Sequence, residues 1–239
     1  MKLRVRYSKL GKIRFTSHRD TANHFERAVR KAGIALAYSG GFTPRPKMSF
    51  GLALPTGGES LAEYLDFELA EGVDLDAGQV HDRLAAALPM GYGVVRVAPI
   101  EPGSPSLQED VVACTWQVAL CGVLLAAAQA AVDGALSAPA LLVERERKGQ
   151  RSTDDVRHCI EDLSVATVAD DPRPHLCAVL ASSGRSLRPT ELVGALFTAL
   201  DPVDVAGRVL RTHQWIERDG CRQEILAEAI AARPQPGCA

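Results

Sequence analysis

Candidate acid–base chemistry is concentrated in the segment that begins at His18, where Asp20 and His24 follow closely. A histidine beside a carboxylate can transfer protons or bind a metal ion. These three residues do not share one helix face at the spacing that a metal site or a catalytic dyad needs. The favoured interpretation is a helix cap, with His18 facing solvent or RNA.

No recognised catalytic or metal-binding motif occurs elsewhere in the sequence. It lacks a Walker-type phosphate loop, a G-x-S-x-G motif and an H-E-x-x-H motif. The six cysteines are scattered and no two stand at C-x-x-C spacing, which argues against a zinc site, an iron–sulfur site and a disulfide framework. We therefore predict no catalytic residue, no metal site and no cofactor.

A second polar cluster lies in STDDVRHCIEDL, residues 152–163. An acidic pair of this kind can hold a magnesium ion or orient an arginine. A charged junction between a strand and a helix explains the same residues equally well. Asp154, Asp155 and Arg157 are thus candidates for a polar site, with both interpretations open.

The segment AYSGGFTPRPKMSFG, residues 37–51, is typical of a binding loop, and we call residues 37–47 the proline loop. Pro44 and Pro46 fix φ at about −65° and bias the preceding residues toward extended geometry. Arg45 and Lys47 are therefore expected to stand out from a stiff backbone that loses little entropy on binding.

Two further features of the proline loop suit RNA. Gly40 and Gly41 permit positive φ and expose N–H groups that can bind a phosphate. Tyr38 and Phe42 offer ring faces on which an unpaired base stacks, an interaction of about 1–3 kcal/mol per base. Alternatively, the two rings are core residues that fix the turn.

The net charge of −2 is divided unevenly along the chain. Residues 1–50 contain twelve Lys and Arg but two acidic residues, a balance of +10, while the remainder carries −12. Such segregation indicates that the basic part binds a polyanion. The alternative is that the basic part docks on the acidic part of the same chain.

Local patterns place these cations on a strand and a helix. A period-two pattern from Lys2 to Ser8 predicts a strand with its apolar residues inward and with Arg4 and Arg6 on an exposed cationic face. Residues 12–15 are predicted to continue this strand after a turn. Thr16 or Ser17 then caps a helix that buries an apolar stripe and places its arginines on the surface.

Further patterns predict an α+β fold of two tandem ferredoxin-like β-α-β-β-α-β units, the second following the pattern more loosely. We predict a basic ferredoxin-like domain over residues 1–98, a linker over 99–109, a second α+β domain over 110–220, and a C-terminal helix and flexible tail over 221–239. The first strand, the first helix and the proline loop are expected to form one surface for nucleic acid or a protein partner. Its residues are Arg4, Arg6, Lys12, Arg14, His18, Arg19, Arg27, Arg30, Tyr38, Phe42, Arg45 and Lys47.

Three stretches of the chain resemble the radical-SAM-linked protein family, a bacterial family of uncharacterised proteins. They are RVRYSKLGKIRFTSHRD (4–20), FERAVRKAGIALAYSGGFTPRPKMSFGLALPTG (25–57) and EYLDFEL (63–69). Genes of this family often lie beside, or are fused to, a gene for a radical SAM enzyme. The similarity is diffuse after residue 110, and Thr16 and Arg19 stand where the family usually has leucine.

The resemblance implies a partner more than a reaction. Radical SAM enzymes hold their cluster on a three-cysteine motif, which this sequence lacks, so the chain is expected to be the non-catalytic member of such a pair. We expect an RNA-binding or substrate-presenting accessory protein for a radical SAM enzyme in RNA modification or translation. Alternatives are an adaptor whose basic face docks on an acidic partner, and an RNA-modifying or RNA-cleaving enzyme that uses His18 or the pair Asp154 and Asp155.

No membrane partner is expected from the sequence. The N-terminus has a charge at almost every second position, unlike a signal peptide. The longest apolar run, residues 118–132, is interrupted by Gly122 and Gln129 and is shorter than the roughly 20 residues that a bilayer span needs. These features predict a cytoplasmic protein.

Overall fold

The chain forms two compact units in the computed structural model, which describes residues 1–101, 103–147, 149–182 and 186–226. The first unit comprises Met1–Val111 together with the chain from Trp215 onward, and the second comprises Val112–Gln214. The predicted domains, 1–98 and 110–220, are each one continuous stretch of sequence. The chain instead returns to the first unit at Trp215, and local sequence patterns do not encode such a return.

The first unit combines an antiparallel sheet with helices. Its elements are β1 (Lys2–Lys9), a 3-10 turn (Gly11–Phe15), α1 (His18–Lys31), β2 (Met48–Phe50), β3 (Glu59–Glu68), α2 (Ala77–Ala87), β4 (Tyr92–Pro99) and α3 (Leu107–Asp110). Strand β1 lies between β3 and β4, and β2 pairs with β3.

The second unit contains a second antiparallel group of strands, and the α+β class of the chain is confirmed. Its elements are β5 (Val111–Leu120), α4 (Leu125–Ser137), β6 (Leu142–Arg147), β7 (Gln150–Asp155), β8 (Ile160–Val168), β9 (Asp171–Ala181), α5 (Pro189–Leu196), α6 (Pro202–Val205) and the greater part of β10 (Ala206–Arg218), which belongs to the first unit from Trp215 onward. Strand β9 lies between β5 and β8, while β6 and β7 form a separate hairpin. This element order contains more strands than one β-α-β-β-α-β unit has. The tandem ferredoxin-like arrangement therefore stays a prediction.

Ser17, one of the two predicted caps, is the N-cap of α1. The Asp20 N–H donates to Ser17 Oγ over 3.1 Å, and the Asp20 carboxylate accepts from the Ser17 hydroxyl and N–H. These reciprocal bonds satisfy donors that the first turn of a helix otherwise leaves open. The hydrogen bond from the Ser17 hydroxyl is the main reason that the pKa of Asp20 lies below its usual range.

Residues 12–15 form the 3-10 turn rather than the predicted strand. Gly11 has a φ of 74°, which turns the chain away from β1. The Thr16 N–H and hydroxyl both donate to the Ile13 carbonyl oxygen and close the turn. Four residues span only about one turn of a 3-10 helix. So short an alternation of polar and apolar residues is therefore compatible with a strand or with a 3-10 turn.

One face of β1 forms the apolar core, as predicted. Val5 and Tyr7 are buried there against Phe25 of α1, and the ring centroids of Tyr7 and Phe25 lie 4.5 Å apart. Val80 and Leu84 of α2 belong to the same cluster. This packing fixes α1 on the sheet and leaves the opposite side of the helix exposed.

Two predictions near the ends of the first unit need correction. The predicted linker contains α3, in which Leu107 is buried and Asp110 pairs with Arg218. Cys221–Glu224 form β11 and pair with the end of β10, where a C-terminal helix was predicted to begin. The remainder of that predicted helix and tail, residues 227–239, lies outside the described residues. Within the described part of the chain, no helix has the length and apolar character to cross a membrane.

Candidate nucleic-acid interface

The proline loop is a narrow hairpin with a firmly bonded base. The Ser39 N–H donates to the Arg45 carbonyl and the Lys47 N–H to the Ala37 carbonyl, each over 2.8 Å. The Ser39 hydroxyl accepts the Arg45 N–H over 3.0 Å. These bonds hold the two arms together, so the tip at residues 40–44 projects from a defined base.

The base of the proline loop is joined to strand β3. The Ala37 N–H donates to the Glu68 carbonyl over 2.8 Å, and the Glu68 N–H donates to the Lys47 carbonyl. Lys47 Nζ also lies 2.9 Å from Glu68 Oε2, a hydrogen bond that lowers the pKa of Glu68. Lys47 is therefore exposed but partly neutralised, whereas Arg45 is exposed at the tip side of the hairpin.

Both aromatic rings of the proline loop face solvent. Tyr38 is 55% exposed and Phe42 is fully exposed. The alternative that the two rings are core residues is therefore wrong. An exposed ring on a braced loop is a platform on which a flat ligand can stack.

Helix α1 carries exposed cations, and Arg30 among them lines a groove with the proline loop. Arg19, Arg27 and Arg30 are exposed, and their positions recur at intervals of three to eight residues on the side away from the core. Arg30 Nε donates to the Glu26 carbonyl oxygen over 3.3 Å, which steers the guanidinium along the helix surface. Lys31 at the end of the helix is also exposed.

A groove of about 580 Å³ lies between the end of α1 and the proline loop. Tyr38, Pro44 and Pro46 form its loop side, and Glu26 and Arg30 form its helix side. Apolar side chains complete the lining: Val29, Ile34, Leu36 and Met48. The groove thus combines an apolar floor with one carboxylate and one guanidinium.

The 3-10 turn contributes a second group of candidates. Lys12 is exposed, while Arg14 Nη1 lies 3.3 Å from Glu59 Oε1 and its guanidinium carbon 4.7 Å from the Phe15 ring centroid. His18 is exposed and its ring contacts Phe50 edge-on at 5.5 Å. Arg14 is thus already paired, whereas Lys12 extends the exposed basic surface.

Arg4 is buried, so the prediction that it lies on an exposed cationic face is wrong. It is 7% exposed, and its Nε and Nη2 donate to the two carboxylate oxygens of Asp66 over 2.7 and 2.9 Å. Its position is directly opposite Asp66 in the pairing of β1 with β3. The bidentate bond supplies the partner that a buried guanidinium requires.

Arg6 is buried by the C-terminal part of the first unit, and its predicted exposure is wrong for the same reason. It is 7% exposed, and its Nη1 and Nη2 lie 3.0 and 2.8 Å from the Glu224 carboxylate. Leu226 packs with Tyr64 on this face. The sheet therefore has apolar residues on both faces, and its second face contains ion pairs.

The acidic residues of β3 are a sequence signal for the burial of Arg4 that the sequence analysis missed. An antiparallel alignment of β1 with β3 places Lys2 opposite Glu68 and Arg4 opposite Asp66. Opposite charges on facing strand positions stabilise such pairing. For Arg4 and Arg6, basic residues thus pair with acidic residues of the same chain, which was the alternative interpretation of the charge asymmetry.

Lys9 is a buried cation that the sequence analysis did not single out. Its Nζ donates to the Thr16 carbonyl oxygen over 2.9 Å and it is 3% exposed. Burial lowers the pKa of Lys9, and the nearby Glu63 opposes that shift. The contact ties the end of β1 to the residues just before α1, so the role of Lys9 is structural.

The polar cluster at Asp155 forms a structural junction. Asp155 Oδ1 accepts the Arg157 N–H and the Leu141 N–H, each over 2.9 Å, and these bonds lower the pKa of Asp155. Arg157 donates to the Leu136 and Ile160 carbonyls. Asp154 belongs to β7, where it is half-buried. The contacts of Asp155 and Arg157 therefore match the strand-junction interpretation.

Asp155→Asn is expected to lower stability in a pH-dependent way. The carboxylate has a depressed pKa in the folded state, so its contribution is fully present above its unfolded value of about 3.8 and is lost as pH falls through the folded pKa. Urea denaturation of the wild type and of the variant, at neutral pH and in acid, measures the difference in their free energy of unfolding. A constant difference between wild type and variant across that range would contradict the assigned bonds.

Comparisons with known proteins identify the family to which this chain belongs. Within residues 1–101, 103–147, 149–182 and 186–226, no three His, Cys, Asp or Glu side chains are grouped as metal ligands. No curated protein matches the chain. A family model for uncharacterized proteins conserved in bacteria matches residues 2–189, which include every candidate residue of the interface. The match spans well over half of the sequence, and the chain therefore belongs to the DUF2344 family of uncharacterized bacterial proteins.

Proposed function

We propose that this chain is a non-catalytic accessory protein that binds single-stranded RNA and presents it to a radical SAM enzyme. The proline loop, the exposed side of α1 and the 3-10 turn form the contact surface. Arg4 and Arg6 are excluded from that surface because their guanidinium groups are buried and paired.

The exposure of Phe42 and Tyr38 beside unneutralised arginines carries this proposal. Unpaired bases present π-faces that stack on aromatic rings, whereas bases within a duplex are already stacked. The cations supply the sequence-independent attraction to phosphate. A duplex offers the same phosphates but no free base faces, so the combination favours a single strand.

Resemblance to the radical-SAM-linked family supports the identity of the partner. The similar stretches include most of β1, of α1 and of β3 and the whole proline loop, which together hold the proposed surface. The sequence itself has no three-cysteine cluster motif. We therefore place the chemistry on the partner and RNA contact on this chain.

We also propose that the first unit is a ferredoxin-like module. Its first six strands and helices follow the order β-α-β-β-α-β, and β1 lies between β3 and β4. This arrangement puts α1 and α2 on one side of the sheet, where α1 can carry a binding surface.

The salt dependence of RNA binding tests the proposed function. Among the described residues, the exposed cations of the surface without an acidic partner are Lys12, Arg19, Arg27, Arg30, Lys31 and Arg45. If all six contact phosphates of a single strand, log K should fall with log salt at a slope of about −4. Fluorescence anisotropy with a labelled oligouridylate at several salt concentrations measures this slope. Salt-insensitive binding, or no binding at physiological salt, contradicts the proposal.

A protein-binding adaptor is the second candidate, since a fully exposed Phe42 beside Arg45 also suits a protein hot spot. In that case Arg45→Glu with Lys47→Glu should abolish co-purification with the radical SAM enzyme and leave RNA retention unchanged. Loss of RNA retention with intact co-purification favours the RNA-binding function.

A further inference from the structure

The groove between α1 and the proline loop has the shape and chemistry of a pocket for one nucleobase. Its volume of about 580 Å³ falls in the range of small-molecule sites, roughly 300–1,000 Å³. Val29, Ile34 and Leu36 form an apolar floor, while Tyr38 and the two prolines offer flat faces. A base can leave water there without losing its stacking contacts.

The polar groups of the groove define which base fits. Glu26 contributes a carboxylate, which in the described part of the chain has no ion-pair or hydrogen-bond partner. Arg30 uses Nε for the Glu26 carbonyl oxygen, and its Nη groups remain available. The groove therefore offers two neighbouring acceptor oxygens and a set of donors, separated by about one helical turn.

Guanine complements this arrangement better than the other bases. Its N1–H and N2–H groups are adjacent donors that a carboxylate accepts together, while its O6 and N7 accept from an arginine. Adenine and cytosine each present a ring-nitrogen acceptor beside their amino group, which repels one carboxylate oxygen. Uracil presents a single N–H donor between two carbonyl acceptors.

We propose that the groove binds an unpaired guanine of a single-stranded RNA, with Glu26 on the N1–H and N2–H edge and Arg30 on O6 and N7. This inference rests on the proposed function and adds a base preference to it. Phe42 and the remaining cations contact the neighbouring nucleotides without regard to sequence.

Anisotropy with short labelled oligouridylates that carry one central guanosine, inosine, adenosine or cytidine tests the pocket. We expect the guanosine oligonucleotide to bind about tenfold more tightly than the adenosine oligonucleotide. Inosine lacks the N2 amino group and should lie between them. Glu26→Gln should bring the guanosine and adenosine oligonucleotides to equal affinity, and Glu71→Gln, an exposed glutamate outside the groove, should keep the preference.

Each of the following results contradicts a different part of the proposal. Equal binding of all four oligonucleotides by the wild type overturns the guanine pocket and leaves RNA binding in place. No binding of any oligonucleotide overturns both. Guanosine monophosphate that binds as tightly as the guanosine oligonucleotide shows a free-nucleotide site and overturns the RNA version of this inference.

Discussion

Asp66→Ala is expected to destabilise the first unit by about 3–5 kcal/mol, because it leaves the Arg4 guanidinium buried without its carboxylate. Arg4 and Asp66 are both almost completely buried and joined by two hydrogen bonds. A fall of this size is a large fraction of the stability of most domains. Urea denaturation monitored by tryptophan fluorescence and by far-UV circular dichroism measures the loss.

Lys2→Met is the matched control for this change. Lys2 Nζ lies 3.9 Å from the same Asp66 carboxylate, but its side chain is half exposed. Exposed pairs contribute less than about 1 kcal/mol, so the control should unfold close to the wild type. The double variant Arg4→Met with Asp66→Leu should recover most of the stability, since it removes both charges together. Equal, small losses for Asp66→Ala and Lys2→Met would contradict a buried pair.

Phe42→Ala is expected to weaken RNA binding by about 1–3 kcal/mol, and Tyr38→Ala by a similar amount, because each removes one stacking platform. Phe42 is fully exposed, so its loss should leave the free energy of unfolding unchanged within about 0.5 kcal/mol. Anisotropy with a single-stranded oligonucleotide at fixed salt measures affinity, and urea denaturation measures stability.

Met90→Ala is the control for the loss of exposed apolar surface. Met90 is 94% exposed in the first unit and lies outside the proposed surface. Its removal should alter neither affinity nor stability. If Phe42→Ala and Met90→Ala bind RNA equally well, stacking at the proline loop is excluded and only the attraction between cations and phosphates remains.

Period-two and helical patterns located the main elements of the first unit because each depends on local geometry. The strand predicted over Lys2–Ser8 is β1, and the helix after Ser17 is α1. The pattern fails for residues 12–15, since one turn of 3-10 helix and a short strand differ little in polarity. Strand β2, which follows the proline loop, spans only Met48–Phe50.

Whether a cation is exposed depends on which residues cover its face of the sheet or helix. An alternating sequence pattern holds no information about those residues. Arg4 and Arg19 are both arginines in a basic segment. Asp66, sixty-two positions later, removes Arg4 from solvent, whereas Arg19 lies on the outer side of α1. Charge density along the chain therefore overestimated the number of exposed cations.

By itself, the sequence determined the α+β class, the start of α1, the stiffness of the proline loop and the set of cations and aromatic residues near it. These follow from backbone preferences and from side-chain periodicity, which act over a few residues. Only the tertiary structure decided that Arg4 and Arg6 are internal ion pairs, that Tyr38 and Phe42 are exposed, and that Glu26 and Arg30 share a groove with the loop. Those properties depend on contacts between distant segments, because burial and pairing are set by whichever residue the fold brings alongside.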